Sequence, residues 1–197
     1  LLRGTALLRL DFNTEDNWRL PLVAPTIRLL LRTSERIVIV SHRGRRKGKI
    51  DQKLSLRGNV EKLSHLVKRR VVFFSHFRFR EIKKAIDAAP RGSVFLLENL
   101  RFRKGEQFDD SRVPKSKVAQ EIASLGDFYV YDAFAVAHHA DASVAFVPRF
   151  LPSYAGLELE SEIRHLSGVM RNPKRPLVMI FGGAKAKDKW AILERFR

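Results

Sequence analysis

Between Thr5 and His42 the chain reads "TALLRLDFNTEDNWRLPLVAPTIRLLLRTSERIVIVSH", and within it the hydrophobic period changes twice. "TALLRLDF" (5–12) is a short apolar run of the kind that fills a strand covered on both faces. "LPLVAPTIRLLLRT" (20–33) repeats its apolar residues at helical spacing, with Pro21 and Pro25 acceptable only because they fall near its start. "RIVIVSH" (36–42) is β-branched and short, which returns the reading to strand. A strand, a crossover helix and a second strand form the unit that builds a parallel sheet.

The same alternation continues downstream. Ser55 is placed to cap a helix carrying Leu56, Val60, Leu63 and Val67 on one face. "VVFFSHF" (71–77) follows as a third strand, and "REIKKAIDAA" (80–89) as a helix ended by Pro90 and Gly92. "SVFLLEN" (93–99) is a fourth strand, a helix is expected over 117–125, and "DFYVYDAF" (127–134) is a fifth strand. A helix with Leu157, Ile163, Leu166 and Met170 comes next, then the linker "RNPKRP" (171–176) and a new strand, "LVMIFGG" (177–183). The expected fold is therefore α/β: a Rossmann-like parallel sheet with helices on both faces, in three αβα layers, plus the first strand and helix of a second lobe. The expected boundaries are an N-terminal lobe over 1–153, a connecting helix over 154–172, and the start of a further lobe over 173–197.

Composition narrows the chemistry without choosing it. In 197 residues there are 38 Lys and Arg against 21 Asp and Glu, a formal net charge of +17. Such a field attracts nucleic acid, anionic membranes or small polyanions. The absence of cysteine excludes a disulfide framework, a thiolate metal site and a cysteine nucleophile. No run approaches the roughly 18 uninterrupted apolar residues of a membrane span, and Leu1–Leu10 is broken by Arg3, Gly4 and Arg9, unlike a signal peptide. A cytoplasmic setting is expected.

In an open α/β sheet, ligands bind beyond the carboxyl ends of the strands. Those ends are where the unusual polar residues fall: Asp11, Asn13 and Arg19 after the first strand, Ser41 and His42 with Arg45 after the second, Glu98, Asn99 and Arg101 after the fourth, and Asp132 with His138 and His139 after the fifth. Arginines and histidines offer donors to an anion, and Asp11 with Asn13 suits a hydroxyl. The carboxylates are too scattered for a metal cage, and no Ser–His–Asp set emerges. A small molecule carrying phosphate, carboxylate and hydroxyl groups fits this inventory. At the C-terminus, "FGGAKAKDK" (181–189) is a strand–glycine–helix junction with Gly182, Gly183, Lys185 and Lys189, an arrangement that receives phosphate.

The segments "LRLDFN", "APTIRLLL", "SHRGRRKG", "LLENLRF", "DAFAVAHHADAS" and "GGAKAKDK" resemble, in order, the signature segments of phosphoglycerate kinase. The resemblance implies a two-lobed enzyme that moves a phosphoryl group reversibly between ATP, with Mg²⁺, and the carboxylate of 3-phosphoglycerate. It gives Asp11 and Asn13 to the glycerate hydroxyl, Arg19 to the carboxylate and the transferring phosphoryl, and His42, Arg45 and Arg101 to the 3-phosphate. His139 falls at a phosphate-clamping position, Lys185 matches a lysine that stabilises the transferring group, and Lys189, with Gly182 and Gly183, lies by the nucleotide phosphates. It also implies a monomer without a membrane partner. An ionised carboxylate needs no general base, so positioning and charge neutralisation carry the reaction.

The chain departs from the family pattern at His139, where an arginine is usual, and at Asp141, where a histidine is usual. Losing one charge-assisted contact costs about 1.5–3 kcal/mol, and a carboxylate at Asp141 adds repulsion. Arg43 and Arg46 replace the usual leucine and proline, and "TEDNW" (14–18) shortens a loop. The remaining nucleotide motifs of the family would follow Arg197, so the chain alone is expected not to turn over ATP. Two rivals remain: a degenerate lobe that binds phosphoglycerate without kinase activity, and a basic nucleic-acid module. Against the second, the aromatics sit inside apolar strands, with no stacking platform among the basic residues.

Overall fold

A computed structural model describes residues 3–13, 19–44, 50–107, 114–178 and 180. Its elements follow the expected alternation: β1 (Thr5–Leu10), α1 (Arg19–Thr33), β2 (Arg36–Val40), α2 (Val60–Val67), β3 (Val71–Phe74), α3 (Phe79–Ala88), β4 (Val94–Leu97), α4 (Lys115–Ala123), β5 (Phe128–Asp132), β6 (Ser153–Ala155) and α5 (Leu157–Arg171). The six strands form one sheet in the order β3-β4-β2-β1-β5-β6, and all five pairings are parallel. The αβα fold is that expected.

Strand alternation divides the core into two. Leu8 and Leu10 of β1 and Ile37 and Ile39 of β2 face Leu20, Val23 and Ile27 of α1 and Leu63 and Val67 of α2. Leu7, Val38, Val40 and Tyr129 face the opposite way, against Ile82 and Ile86 of α3 and Val118 and Ile122 of α4. Successive residues of a strand point to opposite faces, so an apolar strand is what two helical layers demand.

Three local readings change. Ser55 caps a 3-10 turn, Leu56–Asn59, and α2 begins only at Val60. α1 starts at Arg19 and carries Pro25 inside it; the lost bond leaves the carbonyl of exposed Pro21 to water. β6 was not anticipated, because it is three exposed residues after Pro152 with no apolar pattern. The strand expected over 177–183 and the helix after it lie largely outside the described residues. The chain divides into two compact units, Leu1–Glu160 and Ser161–Arg197. None of the described helices is long and apolar enough to cross a membrane.

The end of β5 is fastened to the first turn of α5. The buried Asp132 carboxylate accepts from the Thr26 hydroxyl at 2.6 Å and from the Leu159 amide at 2.8 Å, while Thr26 Oγ1 accepts from the Leu157 amide at 3.0 Å. Amides that a helix start leaves unpaired thus find a carboxylate. Gly156 makes the approach possible, since a Cβ there would overlap the Asp132 side chain. Gly156→Ala is expected to destabilise the chain by about 1–3 kcal/mol, read as a fall in urea midpoint. An unchanged midpoint would show that the junction yields freely.

Candidate functional site

The chain leaves neighbouring strands toward opposite faces. β1 and β2 lead to α1 and α2 on one side, and β4 leads to α4 on the other. Where the exits diverge, the carboxyl ends open a crevice, and the loops after β1, β2, β4 and β5 meet there.

The deepest group in the crevice is Arg9, the penultimate residue of β1 and fully buried. A guanidinium out of water must be paired and hydrogen-bonded. Its Nε donates to Ser143 Oγ at 3.0 Å, its Nη1 donates to the Leu10 carbonyl, and its Nη2 donates to His42 Nδ1 at 3.0 Å. Ser143 passes the contact on by donating its hydroxyl to Glu106, whose other oxygen accepts from the Ser143 amide at 3.1 Å. Tyr129 donates its hydroxyl to the Ser143 carbonyl at 2.6 Å. Burial raises the Glu106 pKa, opposed first by Arg9 and then by the Ser143 hydroxyl.

Arg9 settles the state of His42. Arginine cannot accept, so Nδ1 accepts from it and the ring proton sits on Nε2. Burial, and after it the positive charges of Arg9 and Arg101, lower the His42 pKa far below the ordinary range, so the ring stays neutral. Nε2 is buried and has no hydrogen-bond partner among the described residues, although Asp11 Oδ1 lies 3.7 Å away. Arg101 repeats the situation. It is buried, its Nη1 donates to the Gly44 carbonyl, and its Nε is without a partner among the described residues.

The other expected site residues divide by role. Asp11 accepts from the Asn13 amide at 2.8 Å and pairs with Arg19 at the start of α1. Asn13 Oδ1 accepts from the Gly44 amide at 2.7 Å. Gly44 has φ +64, and a Cβ there would lie 2.6 Å from Leu54, so this turn requires glycine. His139 Nδ1 lies 3.4 Å from Asp141 Oδ2. The structure therefore brings Asp11, Asn13, Arg19, His42, Arg101 and His139 to one end of the sheet. Arg45, Gly182, Gly183, Lys185 and Lys189 lie outside the described residues. No cluster of His, Asp or Glu suited to a metal ion occurs among the described residues.

Three polar residues at the strand ends turn out to be internal braces. Asn99 uses its whole amide: Oδ1 accepts from the Arg43 and Arg101 amides, and Nδ2 donates to the Arg43 and Leu54 carbonyls. Glu98 accepts from Leu56, Asn99 and Ser55, and Asp132 caps α5. Arg9, Glu106, Ser143 and Tyr129 were not anticipated. The available signal was Arg9 itself, a lone charge inside an apolar strand.

Because folded His42 does not take up a proton and an unfolded histidine does so near 6.5, the folded state loses stability as pH falls through that value. His42→Asn keeps an acceptor for Arg9 and removes the titration. Between pH 6.5 and 5.0 the wild type should lose about 1.6 kcal/mol relative to this variant, measured by urea unfolding. Parallel pH profiles would overturn the assignment.

Comparison with known proteins agrees with this fold. A family model described as phosphoglycerate kinase matches residues 3–196. The phosphoglycerate kinase of Coprothermobacter proteolyticus is 37% identical over 196 residues, covering 95% of this chain and 49% of the relative. That of Orientia tsutsugamushi is 40% identical over 194 residues, covering 95% and 47%. Among solved structures, phosphoglycerate kinase from Pyrococcus horikoshii superposes with TM-score 0.83 at 27% identity, covering 97% of this chain and 49% of that one. The Coxiella burnetii enzyme gives TM-score 0.79 at 32% identity, covering 98% and 49%. The chain thus spans about half the length of the curated relatives it matches, and with its fold and the family match it belongs to the phosphoglycerate kinase family.

Proposed function

We propose that this chain supplies the phosphoglycerate-binding part of a phosphoglycerate kinase, which in glycolysis transfers a phosphoryl group reversibly between ATP and the carboxylate of 3-phosphoglycerate. Residues 1–153 form the binding lobe, 154–172 the connecting helix, and 173–197 the start of the nucleotide lobe. What supports the reading above all is the pair of buried donors, His42 Nε2 and Arg101 Nε, without partners among the described residues at adjoining strand ends. An unmet buried donor costs about 1–3 kcal/mol, and an anionic ligand removes that cost.

On this reading His42, Arg45 and Arg101 hold the 3-phosphate, with His139 beside them. Asp11 and Asn13 hold the hydroxyl. Arg19 turns from Asp11 toward the substrate carboxylate and the phosphoryl group it receives. Arg9 touches no ligand; burial first and the Arg9 charge second keep His42 neutral, and the Arg9 hydrogen bond to Nδ1 leaves the ring proton on Nε2. The carboxylate oxygen bonds to phosphorus as the bond to the ADP oxygen breaks, and no proton has to be removed from the nucleophile. ATP with Mg²⁺ supplies the phosphoryl group, and Gly182, Gly183, Lys185 and Lys189 are the residues of this chain assigned to it. The protein works as a cytoplasmic monomer on small anions, with no membrane and no specific nucleic acid as partner.

Calorimetric titration with 3-phosphoglycerate at physiological salt, against inorganic sulfate as control, tests the assignment. Saturable binding well above sulfate is expected, weakened at least about tenfold in Arg101→Ala under conditions where that variant still unfolds cooperatively. Binding no better than sulfate would sink the reading.

A further inference from the structure

The loop after β5 places a carboxylate where the rest of the crevice is built for an anion. Asp141 is almost fully buried and immediately precedes Ala142 and Ser143. Their amides both donate to Glu106, at 2.7 Å to its carbonyl and 3.1 Å to its carboxylate. This clamp fixes the Asp141 backbone against the loop that carries Arg101. The side chain does not cap the π-helical turn that follows it, Ala142–Phe146. Its one described side-chain contact is His139. Burial of such a group is sustained by the positive field of the crevice, and among the carboxylates acting on Arg101, Asp141 acts most strongly, ahead of Asp11 and Glu106.

We propose that Asp141 is a built-in counter-anion of the Arg101 end of the crevice, competing with any incoming phosphate and restricting the charge that this end accepts. The inference rests on the reading of the crevice as a phosphoglycerate site. Among its described residues, Arg9, Arg19 and Arg101 carry positive charge, His42 is neutral, and Asp11 already offsets Arg19. A second buried carboxylate, on the loop clamped to the one that carries Arg101, subtracts from the positive charge offered to a phosphate dianion. The residue sets ligand affinity through charge, with no part in the chemistry.

The test is calorimetric titration of the full 197-residue chain and of Asp141→Asn with 3-phosphoglycerate and, separately, with inorganic orthophosphate. Asp141→Ser serves as a second uncharged replacement should the amide variant fail to melt cooperatively. Removing one like charge at close range should tighten both anions about tenfold, and Arg101→Ala should abolish that gain in the double variant. A structural role alone would shift the melting temperature and leave the gain absent. If the chain binds 3-phosphoglycerate and the neutral variants bind it no tighter, the proposal is overturned while the functional reading stands. If orthophosphate tightens but 3-phosphoglycerate never exceeds it, the counter-anion stands and the substrate assignment falls. If neither anion binds any of these proteins, both are overturned.

Discussion

A fully buried guanidinium at the end of the central strand constrains everything around it. Arg9 cannot give up its charge, so the fold must surround it with acceptors. It does so with the Leu10 carbonyl at the end of its own strand and with pieces of three loops: the His42 ring after β2, Ser143 after β5, and Glu106 after β4, which holds Ser143. Each acceptor fixes the loop that carries it. The crevice is therefore preorganised from beneath, and the groups at its mouth inherit their orientation from a residue buried under them.

The architecture was legible because it depends on period. Strands covered on both faces are apolar throughout, and the intervening helices are too long to be turns, so β1 to β5 and α1 to α5 were readable from residue type alone. β6 was not, since an exposed three-residue edge strand needs only backbone partners: Tyr129 donates to the Pro152 carbonyl and Gly156 to the Tyr131 carbonyl, each at 2.8 Å. Pairing of that kind leaves no mark on side-chain identity.

The crevice was legible in part. A polar residue just past a strand is found easily, but its task depends on which partners the tertiary structure delivers. His42 and Arg101 keep an unused buried donor, whereas Asn99 spends its whole amide, and Glu98 both carboxylate oxygens, on the loops beside them. The sequence marks all four in the same way. Arg9 was overlooked for the opposite reason, because a strand read for its apolar average hides one inward charge. At His139 and Asp141 the departure from the family was visible, yet only the burial of Asp141 against the Arg101 loop gives it a physical meaning.

The position of β1 in the middle of the sheet also bears on the order of folding during synthesis. β1 and its partner β2 are close in sequence, but the other edge of β1 pairs with β5, with Ala6 opposite Phe128 and Leu10 opposite Asp132. At translation rates of about 5–20 residues per second, roughly 6–25 s separate the emergence of the two strands. Over that interval the nascent chain carries an apolar strand with an open edge and, at its end, a guanidinium whose partner Ser143 does not yet exist. The charge that later organises the crevice keeps that strand end hydrated until it can be buried, and so acts as a gatekeeper against premature pairing with other chains.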